Sequence, residues 1–172
     1  RLYRGHVDGA VDKVIIVPRN GLGNRLQAWA SASILAHQLR ASLEILWEPQ
    51  PVAPALFFDI FDATQLTGVN GGALVEPELL VDLLGGDHES LPRYLWSNEA
   101  RGVVFLAGHD RGEQVFMPQL RDLLMRLDRP VTLVVIAGGL FDLRPEENNE
   151  RDEFITARHT FYSELRWSSP VQ

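Results

Sequence analysis

The chain has no cysteine, and Lys13 is the only lysine among its 16 lysines and arginines. The lack of cysteine excludes disulfides, thiolate zinc sites, iron–sulfur clusters and thiol nucleophiles. The scarcity of lysine leaves arginine as the main side chain available to bind phosphate groups. The sequence also has no apolar run of roughly 20 residues, the length that a transmembrane helix needs, so we expect no membrane span.

The chain has fewer basic than acidic residues, 16 against 23, and its formal net charge is −7. An acidic surface repels a phosphate backbone, so we expect no nucleic-acid partner. A length of 172 residues with 45% apolar and 23% charged residues predicts one globular domain, residues 1–172. The missing cysteines, and the lack of a charged-then-apolar leader after Arg1, favour a cytoplasmic location.

Short β-branched runs alternate with helical patterns along the chain. Residues 14–18 predict a strand, residues 24–40 a helix that is apolar nearly all round, and residues 43–47 a second strand. Together they form a βαβ unit with a right-handed crossover. Further helices are predicted at 77–84, from Pro118 and at 150–165, a helical turn within 55–62, and strands at 103–107 and 131–137. The pattern predicts an α/β fold, a Rossmann-like three-layer lobe with a mostly parallel sheet.

The glycine turn after the first strand lies where open parallel sheets bind ligands, beyond the carboxyl ends of the strands. Gly21 and Gly23 permit positive φ angles and leave room for a ligand to touch the main chain. Asn24 suits the N-cap of the helix, or can donate its amide to a ligand oxygen, and Arg25 adds a cation with paired donors. With the free N–H groups of the helix, these residues suit a phosphate or a pyrophosphate.

Three interpretations of this turn remain open. One is the NAD-type fingerprint Gly-x-Gly-x-x-Gly/Ala, with Glu48 as the acid after the second strand, although Leu26 stands where a third small residue is expected. Another is a sugar-nucleotide transferase loop, in which the Asn-Arg pair contacts the donor. In the third, the glycines merely join a strand to a helix. A separate alternative for the whole chain is a non-catalytic interaction domain that keeps the fold without the activity.

Three stretches are more specific than the two glycines: residues 14–26 with 30–32, 35–36, Arg40, Leu46 and Trp47; residues 54–61; and residues 161–165 with 168–172. The first resembles the amino-terminal signature of the fucosyltransferase-like superfamily, which includes bacterial nodulation fucosyltransferases and protein O-fucosyltransferases. The second resembles the segment that follows the second strand in those proteins, and the third resembles the stretch that joins their two domains. Residues 63–150 have no motif that matches.

The resemblance implies the amino-terminal, acceptor-side half of a two-domain GT-B enzyme. It implies that Gly21, Leu22, Gly23, Asn24 and Arg25 form the loop that reaches the diphosphate and sugar of the donor. The implied reaction transfers fucose from GDP-fucose to a hydroxyl of a glycan or another acceptor, with inversion and without a metal. The carboxyl-terminal, donor-binding domain is absent from residues 1–172, so we expect this chain to be inactive alone.

Other residues are candidates for catalysis or sugar binding. An acceptor hydroxyl needs a general base near the mouth of the cleft; Glu48 is the best-placed carboxylate, followed by Asp59 and Asp62. Trp96, in a predicted loop beside Tyr94, is a candidate sugar-stacking platform. The histidines have no metal-ligand spacing, so we expect no metal and no cofactor besides the sugar nucleotide. Each candidate also has a plainer interpretation, as a solvated carboxylate or a packed ring.

Overall fold

Strands and helices alternate along the chain, as the apolar runs predict. The computed structural model describes residues 9–62, 64–65, 72–86, 94–107, 113–139 and 148–169. Within these ranges lie β1 (Val11–Pro18), α1 (Leu22–Leu39), β2 (Ser42–Ile45), α2 (Phe57–Ile60), β3 (Ala73–Leu74), α3 (Pro77–Leu84), β4 (Tyr94–Asn98), β5 (Val103–Ala107), α4 (Glu113–Leu124), β6 (Val131–Ala137) and α5 (Asn148–Ser163).

The described strands form one sheet in the order β3-β2-β1-β6-β5-β4. Neighbouring strands are parallel, except that β4 is antiparallel to β5. The central strands β1 and β6 are rich in buried β-branched residues, because a central parallel strand meets helices on both sides. The predicted α/β fold with a mostly parallel sheet is confirmed.

Helices cover both faces of the sheet, which gives three layers. Val14 and Ile16 of β1 belong to a core shared with α1, α4 and α5, whereas Ile15 and Val17 belong to a second core shared with α3. The two cores separate because successive side chains of a strand point to opposite faces. The small residues of α1 let it lie close to the sheet, and α1 is buried nearly all round, as predicted.

Strand β4 occupies residues for which the sequence predicts a loop. Its geometry comes from antiparallel pairing with β5, in which Trp96 lies opposite Phe105. Trp96 is half-buried against the α3 core and does not lie in a loop, which corrects its predicted placement as a loop platform for sugars. The two-residue strand β3 also has no signal of its own in the sequence.

Helix α4 begins at Glu113, so Pro118 lies inside the helix, and the prediction that Pro118 opens it is wrong. A proline inside a helix removes one backbone hydrogen bond. Leu120 and Leu124 are buried in the core on the α1 side of the sheet, and this packing offsets the lost bond. Among the described helices, none has both the length and the apolar character that crossing a membrane requires.

Candidate functional site at the carboxyl edge of the sheet

Three loops meet at the carboxyl edge of the sheet: the β1 loop (residues 19–21), the β2 loop (residues 46–56) and the β6 loop (residues 138–139). β1, β2 and β6 are adjacent and parallel, so their carboxyl ends open on the same side. Main-chain bonds join them, because Arg19 N–H donates to Ala137 O (2.8 Å) and Leu46 N–H donates to Ile16 O (2.9 Å). The edge holds the predicted donor loop and Glu48 together.

Asn20 forms the turn between β1 and α1. Its φ of 68° lies in the left-handed region, which asparagine tolerates better than most residues. Its N–H donates to Gln50 Oε1 (3.0 Å), and its Nδ2 donates to Gly138 O (3.5 Å). Neither Asn20 nor Gln50 is among the site residues that the sequence predicts. The Asn20-Gly21 dipeptide, a common turn signal, could have identified Asn20, but nothing in the sequence pairs Gln50 with it.

The two glycines of the donor loop do not adopt positive φ angles, contrary to the prediction. Gly21 has φ −67°, and Gly23 lies inside α1; the left-handed residue of this turn is Asn20. A Cβ built on either glycine meets no described atom within 4 Å. Neither the backbone conformation nor a described neighbour therefore requires glycine here, and both positions leave the main chain uncovered by a side chain.

No described side chain caps the start of α1. Gly21 is the N-cap residue, and Asn24, which the sequence predicts in that role, is the third residue of the helix. Asn24 is not the N-cap because the helix begins two residues before the predicted start, with Arg25 N–H donating to Gly21 O (3.0 Å). The N–H groups of Leu22, Gly23 and Asn24 have no acceptor within the helix and form the positive end of its dipole.

Arg25 is fully buried, although it lies in the first turns of α1. Its Nε donates to Asn20 O (3.0 Å), and its Nη2 donates to Ala53 O (3.2 Å). Its Cζ lies 4.9 Å from the centroid of the Trp47 ring. Its Nη1 has no partner among the described residues. The guanidinium therefore lies between the β1 loop and the β2 loop, against carbonyl oxygens and an aromatic face.

Electrostatics at this edge favour negative charge in a ligand. Burial lowers the pKa of the Arg25 guanidinium, the nearby Arg19 cation lowers it further, and Glu48 counteracts both. Arginine starts from so high a pKa that the group stays charged at neutral pH. The charge of Arg25 thus adds to the positive end of α1.

Glu48 follows β2 and forms an ion pair with Arg19, with 3.2 Å between Oε2 and Nη2. The side chains of Glu48 and Arg19 are 21% and 20% exposed, so solvent reaches the ion pair. It joins the β1 loop to the β2 loop.

The two other candidate carboxylates are engaged in local turns. Asp59 Oδ2 accepts from Leu56 N–H (2.8 Å). Asp62 Oδ1 accepts from both the N–H (2.8 Å) and the hydroxyl (2.7 Å) of Thr64. The bonds from Thr64 lower the pKa of Asp62, and the Arg166 cation lowers it further. The described part of the chain contains no group of three or more histidine or carboxylate side chains that could hold a metal ion.

Fold and site define an α/β domain with a mostly parallel sheet and a cluster of loops at its carboxyl edge. No family model matches the chain, no curated protein matches its sequence, and no solved structure matches its fold. Evidence for a function therefore comes from the residues of the site.

Proposed function

We propose that this chain is the acceptor-side lobe of a glycosyltransferase whose donor is a sugar nucleotide, with GDP-fucose the donor that the resemblance implies. The observation that carries the proposal is the start of α1. It lies at the carboxyl edge of a parallel sheet, and no described side chain caps it. A diphosphate suits such a helix end, because its oxygens can accept from several N–H groups at once.

The two glycines strengthen this argument because they cost stability. Serine, asparagine or aspartate at Gly21 would stabilise the N-cap more than glycine does. Alanine at Gly23, in the first turn of α1, would stabilise the helix relative to glycine by up to about 1 kcal/mol, the value for a helix interior. Neither position has a described neighbour that would oppose a side chain. Stability lost at a site is often the cost of function, and here the glycines keep the helix N–H groups accessible to a ligand.

In the proposed reaction, the acceptor oxygen bonds to the anomeric carbon of the sugar while the bond from that carbon to the diphosphate oxygen breaks. The configuration at the anomeric carbon is thereby inverted, and the hydroxyl proton passes to a base, for which Glu48 is the candidate. Negative charge grows on the leaving diphosphate, and the α1 N–H groups with the cation of Arg25 stabilise it. A second lobe would complete the site by holding the base and ribose of the nucleotide, whereas the proposed diphosphate contacts lie on this chain and can be measured on it alone.

Two substitutions separate ligand binding from stability. Gly23→Ala should raise Tm because alanine favours helix, and Gly21→Ser should raise it by capping α1. Both place atoms where the diphosphate is proposed to lie. The affinity for GDP, measured by NMR titration, should therefore fall about tenfold, the loss of roughly one good hydrogen bond. Gly86→Ala is the matched control, because its Cβ also meets no described atom, and GDP affinity should not change.

The alternatives give different results in the same titration. GDP affinity that is unchanged in both Gly23→Ala and Gly21→Ser would remove the donor-loop role from α1. Binding of NAD in place of GDP, lost in Glu48→Ala, would favour the NAD-type domain. A chain that binds neither nucleotide would match a non-catalytic interaction domain.

A further inference from the structure

We infer that Arg25 is a positioning residue, which fixes the shapes of the β1 loop and the β2 loop and does not itself contact the ligand. The inference rests on the proposed function for the nature of that ligand. The positioning itself rests only on the contacts of Arg25. It changes the role that the resemblance implies for Arg25, from a donor ligand to a support for the loops.

The donors of Arg25 are already in use on one side of the guanidinium. Nε and Nη2 both donate to main-chain carbonyls, of Asn20 and Ala53. The side chain is 0% exposed, so a ligand could reach it only after the surrounding loops moved. A direct phosphate contact would have to break these two bonds or displace the residues that cover Nη1.

Through Asn20, Arg25 acts on the start of α1. The Asn20 carbonyl that accepts from Arg25 Nε belongs to the peptide unit whose N–H is that of Gly21. Because a peptide unit is planar, holding the carbonyl also fixes the direction of that N–H. Asn20 has a φ of 68°, and its N–H donates to Gln50 Oε1. The turn at Asn20 is therefore held through both its carbonyl and its N–H.

Through Ala53, Arg25 acts on the β2 loop. Gln50 and Ala53 exchange two main-chain bonds, of 3.1 and 2.9 Å, which closes a tight turn. Trp47 lies under the guanidinium, and its Nε1 donates to Ala55 O (3.1 Å). A planar guanidinium can bind two carbonyls and stack on a ring at the same time, whereas the single nitrogen of a lysine cannot.

Hydrogen–deuterium exchange of Arg25→Lys tests the positioning. The hydrogen-bonded loop amides of Asn20, Gln50 and Ala53 should exchange about tenfold faster than in the wild type, which is the effect of losing one hydrogen bond of roughly 1.4 kcal/mol. Amides of β5 and β6 should be unchanged. Arg126→Lys is the matched control, because Arg126 Nε also donates to a main-chain carbonyl, that of Asp122 (3.0 Å), but at the surface.

If Arg25→Lys does not fold, a measurement on the wild-type chain tests whether Arg25 is held against the β1 loop. The Arg25 Nε–H, buried and bonded to Asn20 O, should exchange with solvent at least about a hundredfold more slowly than the exposed Arg126 Nε–H. Equal exchange of the two groups would overturn the inference. So would wild-type loop exchange in a folded Arg25→Lys variant.

Titration with GDP separates this inference from the proposed function. The expected result is that Arg25→Lys, with loosened loops, binds GDP about tenfold more weakly than the wild type. Weaker GDP binding with unchanged loop exchange would show a direct contact and overturn the positioning role. Loosened loops with unchanged GDP affinity would confirm that Arg25 orders the loops and would show that GDP binding does not depend on their order. A wild-type chain that does not bind GDP would refute the proposed function, whereas loop exchange alone would still decide whether Arg25 orders the loops.

Discussion

Individual side chains hold the loops at the carboxyl edge of the sheet together. Asn20 joins residues 50 and 138, and Arg25 joins the main chain at residue 53, over sequence separations of 30, 118 and 28 residues. Each bond is a single contact that a single substitution removes. At the residue scale, therefore, a substitution can alter the shape of the site while the sheet beneath it stays intact.

Asp62 should give the chain a stability that depends on pH. Its pKa is lowered in the folded chain by the bonds from Thr64, so its carboxylate favours folding above about pH 3.8, the ordinary value, and this contribution is lost as the pH falls through the lowered value. Asp62→Asn should therefore lower Tm at pH 7, and the difference from the wild type should shrink below pH 3.8. Thermal unfolding between pH 2 and 7 checks this, and a Tm difference that is constant with pH would contradict it.

Helices α1 and α5 pack through aromatic rings. Trp29 of α1 meets Phe161 of α5 edge-on, with ring centroids 5.1 Å apart, and it also contacts Phe57 and Phe61. These rings are buried, and they tie α2 and α5 to the helix that carries the proposed donor loop. At the element scale, the position of α1 thus depends on packing as well as on its attachment to β1.

Phe161→Ala should destabilise the chain by about 3–5 kcal/mol, because truncating a buried phenylalanine leaves a cavity beside Trp29. Phe58→Ala is the matched control: Phe58 is 52% exposed, and its loss should cost about 1 kcal/mol or less. Urea unfolding followed by circular dichroism measures both. Equal losses in the two variants would show that the aromatic cluster does not hold α5 on α1.

For the whole molecule, the sequence predicts the layers well and the site only in part. The β-branched runs of β5 and β6 give those strands their correct bounds, and Pro77 with Gly85 gives the bounds of α3. β4 escapes prediction because it becomes a strand through pairing with β5. Arg25 and Glu48 lie at the same edge of the sheet, but the burial of Arg25 depends on a loop that folds back from beyond β2, and no local pattern encodes that.

The central claim is that the start of α1 binds a diphosphate. The most direct test is an NMR titration of the wild-type chain with GDP and, separately, with guanosine, which has the same base and ribose without the diphosphate. Diphosphate binding at the start of α1 predicts that the amide resonances of Leu22, Gly23 and Asn24 shift and saturate with GDP and do not move with guanosine. Shifts of these amides with both compounds, or with neither, would contradict it.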